Sequence, residues 1–155
     1  VHDDKLHFVE EVGHFFEHSG LTRMAGRMLG WLLICDPPHQ TMPQIAEAVQ
    51  ASKGSISSAS RLLIRVGLVE RFSLPGERRD YYRLRSGAWD ALLAIKLTEL
   101  ARMREIAERG LAAIDGAPPA ARQRLDELRE MAAFLEREYP RLLARWQQER
   151  AAHSH

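Results

Sequence analysis

The hydrophobic period of this chain switches at Gly67 and switches back near Ser86, and few folds satisfy both changes. Up to Gly67 the apolar residues recur at helical spacing. "LVERFSL" (Leu68 to Leu74) then alternates Leu68, Glu70, Phe72 and Leu74 against Val69, Arg71 and Ser73. "PGERR" makes a turn, and "DYYRL" (Asp80 to Leu84) returns as a second strand. A single hairpin is marginal in water by itself, so it must lean on the helices around it. The expected class is mainly α with a small β-hairpin.

The helical segments are individually readable. A first helix is expected over about Asp4 to His18, with Phe8, Val12, Phe15 and Phe16 on one face and Ser19-Gly20 ending it. A second covers about Leu21 to Cys35, with Met24, Met28, Trp31 and Cys35 on one stripe, and "DPPH" (Asp36 to His39) breaks the chain. Thr41 caps a short third helix, "MPQIAEAVQ", with Pro43 in its first turn and Ile45, Ala46 and Val49 inward. Ser52 caps a fourth. After the hairpin, one long helix runs from near Ser86 to about Ile114, and "DGAPPAA" separates it from another starting near Pro119.

That last helix carries a heptad seam. Ala121, Leu125, Leu128, Ala132, Leu135, Tyr139, Leu142 and Trp146 alternate spacings of 4 and 3. Pro140, inside it, is expected to kink or split the helix. Two long amphipathic helices beyond a compact domain have little of their own chain to cover them, so they are expected to form a dimerisation arm. The expected organisation is residues 1–20 as an N-terminal helix contributing to a dimer interface, 21–85 as the domain bearing the hairpin, and 86–155 as a C-terminal helical dimerisation region.

At 155 residues the chain is one domain's worth, and 45% hydrophobic with 28% charged residues excludes disorder. No apolar run approaches the ~18 residues that cross a bilayer. The opening "VHDDKLHFVEE" lacks the basic-then-apolar order of a signal peptide. The single cysteine, Cys35, precludes an intramolecular disulfide and fits a reducing cytoplasm. A glycine-rich phosphate loop, a Cys-x-x-Cys pair and a nucleophile–base arrangement are all missing, so neither an enzyme nor a bound cofactor is expected.

The third and fourth helices fit the steric rules of a helix-turn-helix. A small residue must sit where the second helix crosses the first, a tight turn must follow, and an apolar residue must pack back. Ala46 is the small residue, Gln50-Ala51 the turn, and Ile56, ten residues after Ala46, the packing residue. Gln50 stands where glycine is often found. With the hairpin directly downstream, the unit reads as a winged helix.

The fourth helix, "SKGSISSASRLL", holds five serines and a glycine, giving up roughly 3 kcal/mol of helix propensity against alanine. With Ile56, Ala59 and Leu63 facing the core, Lys53, Gly54, Ser57, Ser58 and Arg61 face away. A major groove roughly 12 Å wide admits a helix whose leading side chains are of modest bulk. The hydroxyls can then address phosphates and base edges, Gly54 permits close backbone approach, and Ser52 with the first-turn amides makes an anion site. Arg61 is the candidate for bidentate base contact. From Ser52 to Arg85 eight cations (Lys53, Arg61, Arg65, Arg71, Arg78, Arg79, Arg83 and Arg85) accompany three anions (Glu70, Glu77 and Asp80). That leaves +5 there, and −4 in the rest of a chain whose total is +1. Such a patch suits a polyanionic partner. Arg78 and Arg79, at the hairpin tip, would reach an adjacent minor groove, Asp80 would brace a wing arginine, and Thr41 and Gln44 would bond backbone phosphates.

The span containing "LTRMAGRMLGWLLICDPPHQTMPQIAEAVQASKGSISSASRLLIRVGLVER" and "PGERRDYYRL" resembles the MarR superfamily of bacterial regulators, particularly its GbsR-like branch. The likeness rests on the M-x-G-R-x-x-G-W-L-L opening, the "SKGSIS" region, "LIRVGLVER" and the G-x-R-x-x-Y-Y wing, and covers about residues 5 to 115. It implies a homodimer with one winged helix per subunit, terminal helices at the interface, and palindromic double-stranded DNA with half-sites about a helical turn apart. It also implies repression, relieved in many members by a small-molecule effector. Carried over by position, the DNA contacts fall on Ser52, Lys53, Ser55, Ser57, Ser58 and Arg61 and on wing residues Arg78 and Arg79.

Three features have duller alternatives. His7, His14 and His18 with Glu11 form one stripe, and His14/His18 have metal-ligand spacing, yet histidines on a solvent face are usually just solvated. Phe16, Met24, Met28, Trp31 and Trp89 could line an apolar effector pocket or simply fill a core. Cys35 could sense oxidants, although an apolar setting blunts a thiol. The alternative functions are a winged helix used for protein–protein assembly, and a metal- or thiol-sensing regulator.

Overall fold

Three glycines decide how the first two helices meet. In the computed structural model, which describes residues 2–154, helix α1 (His2–His18) packs along α2 (Arg23–Ile34). A Cβ on Gly26 would lie 2.8 Å from the Gly13 Cα and 3.1 Å from the carbonyl oxygens of Gly13 and Val12. A Cβ on Gly30 would lie 3.3 Å from the Val9 Cα. The backbones therefore touch, and the contact stripe of α1 is Val9, Gly13 and Phe16. This corrects the expected face: Phe15 is 66% exposed, and Phe8 and Val12 are only half-buried. The closest crossing selects the smallest side chain, so Gly13 rather than the phenylalanine pair sets the rotation of α1.

Helix α2 is the centre of the unit. Thr22 caps it by accepting from the Ala25 amide, and it buries Ala25, Gly26, Met28, Leu29, Gly30 and Leu32. Strand β1 (Gln40–Thr41) follows, then helix α3 (Met42–Ala48), closed at its start by a capping box. Thr41 Oγ1 accepts from the Gln44 amide and Gln44 Oε1 accepts from the Thr41 amide. The turn into α4 (Lys53–Arg65) runs through Gln50 at φ +56°, so the turn does require the left-handed conformation that glycine adopts freely. Ile45, Val49, Ile56, Leu63 and Leu68 are fully buried around this junction.

Strands β2 (Val69–Ser73) and β3 (Asp80–Leu84) pair antiparallel, from Val69 opposite Leu84 to Ser73 opposite Asp80. The sheet has a third strand that alternation could not reveal, because β1 is only two residues long. Gln40 and Thr41 pair with Tyr82 and Tyr81, giving the order β1-β3-β2. This stitches the hairpin to the start of α3.

Helix α5 (Ala88–Ala113) and helix α6 (Pro119–His153) complete the chain, which divides into two compact units between Ala91 and Leu92. Helix α1 thus shares a unit with the helix-turn-helix. In the second unit Ala107, Leu111 and Ala132 are buried, and Gly110 admits Leu125 against the α5 backbone. Arg104 ties α5 to α6 through Glu136 at 2.7 Å, and Glu108 adds a second bond, both holding its guanidinium more firmly charged. Pro140 does not split α6, which runs unbroken through it. A proline removes one amide donor from a helix, and a helix of 35 residues retains the others. No helix among the described residues is long and apolar enough to cross a membrane.

Because the atoms facing Gly26 are backbone, a methyl there must push α1 away from α2. Gly26→Ala should cost about 1–3 kcal/mol, read as a lower midpoint in thermal or denaturant unfolding; an unchanged midpoint would show that the crossing can relax.

Candidate nucleic-acid interface

Helix α4 divides as its periodicity predicts. Ile56, Ala59 and Leu63 are buried, while Lys53, Gly54, Ser58 and Arg61 are exposed and Ser55 and Ser57 half-exposed. Ser60 also turns inward, its hydroxyl donating to the Ser57 carbonyl at 2.8 Å. Ser60 was not among the residues expected inward, although its position one turn beyond Ile56 points that way. Ser52 caps the helix: its Oγ accepts from the Ser55 amide at 3.1 Å and donates to the Ser55 hydroxyl at 2.8 Å. The Lys53 and Gly54 amides in the first turn have no intrahelical carbonyl to meet.

The outward face is a continuous polar strip. Arg61 donates from Nη1 to Ser57 Oγ at 2.8 Å and from Nη2 to Ser58 Oγ at 3.2 Å. The guanidinium thus lies along its own helix, on hydroxyls that can exchange it for base edges or phosphates without exposing apolar surface. Gly54 stands in open space, since a Cβ there would meet nothing closer than Ser52 Oγ at 4.0 Å. Internal packing gives no reason for a glycine at that position.

The wing has its own small core. His39 meets Tyr81 and Phe72 edge-on at 5.1 and 5.9 Å, and the Arg83 guanidinium stacks 3.9 Å from the Phe72 ring centre while pairing with Glu70 at 2.6 Å. Glu70 is the carboxylate that braces a wing arginine. Asp80, expected in that role, instead accepts from Ser73 Oγ at 3.3 Å, because the register puts the two opposite each other. At the tip, Tyr81 donates its phenol to Glu77, and that bond, together with burial, holds the phenol above its usual range. Arg78 and Arg79 stay exposed beside it. Sequence spacing offered no sign of the His39 contact, which links residues 33 positions apart.

Thr41 is 6% exposed and occupied as a cap, whereas Gln44 is exposed and its amide NH2 lies outside the capping exchange. Gln44 and Arg79 both line a cleft of about 450 Å³ with Tyr82 at its side. The suggested effector residues are dispersed in burial: Phe16 and Met28 are packed into the core, Met24 and Trp31 are half-buried, and Trp89 is exposed. Trp31 donates its indole N–H to Gln40 at 3.4 Å. Burial pushes the Cys35 thiol up, with the Asp36 charge adding to the effect, which disfavours the reactive thiolate. His7, His14 and His18 are exposed, His18 donating to the His14 carbonyl at 2.8 Å. No group of three or more metal-ligating side chains occurs among the described residues.

Comparison with known proteins agrees with this geometry. Residues 87–149 match the model of a family described as MmpR5-like MarR family transcriptional regulators. The HTH-type transcriptional regulator MmpR5 of Mycobacterium tuberculosis is 42% identical over 145 residues, covering 94% of this chain and 88% of that protein. A crystal structure of a transcriptional regulator superimposes with a TM-score of 0.78 at 42% identity, over 94% of this chain and 99% of that one.

The open space at Gly54 separates stability from contact. Gly54→Ala should stabilise α4 by about 0.5–1 kcal/mol yet weaken binding to duplex DNA, measured by unfolding and by fluorescence anisotropy on the same preparation. Undiminished DNA affinity in the stabilised variant would mean that no backbone approaches there.

Proposed function

We infer the function from the family: the chain belongs to the MarR family of winged-helix, DNA-binding transcriptional regulators, which are not enzymes. From that premise we propose that it acts as a homodimer on a palindromic operator, with α4 in the major groove of each half-site and the wing on flanking backbone. The observation that carries this reading is the division of α4. A low-propensity helix is held by its buried Ile56, Ala59 and Leu63, and its other face is hydroxyls, one glycine, Lys53 and Arg61. Arg61 reads bases, Ser52, Lys53, Ser55, Ser57 and Ser58 address phosphates and base edges, Arg78 and Arg79 enter the minor groove, and Gln44, less readily Thr41, fixes register on the backbone.

Within the family, the opening motif and the "SKGSIS" stretch are what support a GbsR-like kinship, while residues 87–149 match the MmpR5-like description. Repression is the proposed outcome of operator binding, relieved by an apolar effector near the half-buried Met24 and Trp31 and the exposed Trp89. The half-buried free Cys35 is in keeping with a cytoplasmic protein. Homodimer formation is supported by the apolar side chains that the second unit leaves close to half exposed: Met131, Phe134, Leu142 and Trp146 of α6 and Ile106 of α5. Leu142 and Trp146 are the distal end of the heptad seam. Met131 and Phe134 lie outside it and were not anticipated.

Sequence selection from a random duplex library is the direct test. It should return a two-fold symmetric site, and against that site Arg61→Ala should lose about 1–3 kcal/mol and relax base preference. Arg79→Ala should weaken all sequences alike and flatten the salt dependence. A chain with no salt-sensitive duplex affinity would instead be a protein–protein module. Separately, Phe134→Glu combined with Leu142→Glu should convert a dimer to a monomer in sedimentation, and a parent chain that sediments as a monomer would remove the dimer from this reading.

A further inference from the structure

Arg27 joins α1, α2 and the turn before α4. It projects from α2 next to Gly26 and is 16% exposed. One end faces α1, with Nε 2.6 Å from Glu10 Oε1. The N–H is not aimed along that carboxylate, so the contact is an ion pair rather than a hydrogen bond. The other end donates from Nη2 to the Val49 carbonyl, and Nη1 lies 3.8 Å from Met24 Sδ. Val49 closes α3, and its carbonyl immediately precedes Gln50, the residue at φ +56° that turns the chain toward the Ser52 cap of α4.

The two ends of this guanidinium do different things. Glu10 is shared with Arg23, whose Nη2 donates to Glu10 Oε2 at 2.8 Å, so α1 and α2 remain tied if Arg27 lets go. Burial alone would raise the Glu10 carboxyl, but the bond from Arg23 and the charges of Arg27 and Arg23 outweigh it and hold the carboxyl below its usual range. Among the described residues the Val49 carbonyl has no such duplicate side-chain donor: the guanidinium is what α2 extends to it. Glycine 13 makes the route possible, since a Cβ there would stand 2.7 Å from the Arg27 Cγ.

We propose that Arg27 is a positioning residue for operator recognition: a strut that fixes the Gln50 turn, and hence the start of α4, relative to α1. The proposal rests on the regulatory reading above and adds to it. Lys at position 27 keeps a positive charge for Glu10 but cannot serve Glu10 and Val49 together through a planar fork. With the strut released, α4 keeps its own cap and buried face, so the helix persists while its approach angle loosens. Specific recognition depends on that angle, and non-specific phosphate attraction does not.

The test uses the full chain, its selected operator and a random duplex. Arg27→Lys should lower operator affinity about three- to thirtyfold, with random-duplex affinity and its salt slope unchanged. Amide hydrogen exchange should rise at residues 49–55 and stay protected in α2. Glu10→Gln, which leaves the Val49 bond in place at a partly exposed carboxylate, should give a smaller loss and little further loss on top of Arg27→Lys. Unchanged operator affinity in Arg27→Lys overturns the proposal. So does an equal fall on both duplexes, which is the signature of simple unfolding. A parent chain that binds neither duplex overturns the regulatory reading itself, a result distinct from either.

Discussion

The contact between the backbones of α1 and α2 at Gly13, Gly26 and Gly30 is the constraint on which the first unit rests. Helices normally stand 8–10 Å apart according to the side chains between them, and here glycines remove those side chains. The reward is that α2 is buried along most of its length, with Met28 and Leu29 fully enclosed. A helix so held becomes a fixed post. α4 packs on it, the strands lean on both, and Arg27 can extend from it in two directions.

A rigid post explains how α4 can be built of poor helix formers. In most proteins helical stability comes from packing an amphipathic face rather than from propensity, and α4 buries Ile56, Ala59, Ser60 and Leu63 against its neighbours. Its outward composition is then free to suit a partner. Gly54 in open space, hydroxyls held by Arg61, and a cap made only of serines are choices that stability alone would not favour. The wing follows the same logic: an aromatic cluster with Arg83 stacked on Phe72 stiffens the sheet, and the cations at the tip stay unburied.

Charge is placed to match. The basic excess is confined to the stretch from α4 through β3, and the acidic residues lie mainly elsewhere, pairing with arginines of their own as Glu136 and Glu108 do with Arg104. The second unit thus has a polar framework of its own, and among the side chains it leaves exposed are the apolar Met131, Phe134, Leu142 and Trp146 of α6. An exposed apolar stripe on a long helix is the kind of surface that association covers.

Local signals in the sequence determined the order of the helices and of the two hairpin strands, the caps at Thr41 and Ser52, and the outward face of α4. Each depends on periodicity or on a side chain bonding within a few residues of itself. The tight turn at Gln50-Ala51 was legible too, through the spacing of Ala46 and Ile56 around it, but its left-handed backbone was not. Tertiary structure alone decided the rest. The buried stripe of α1 turned on how closely another helix could approach, which made Gly13 the contact and left Phe15 outside. The strand at Gln40–Thr41 exists only because β3 is there to pair with it, and His39 finds Phe72 only through the sheet. Arg27 has Glu10 on one side and the Val49 carbonyl on the other, neighbours that no local spacing announces. Periodicity reports which face of a segment is apolar, but the distance between two segments, and the partner each side chain finds across it, belong to the assembled chain.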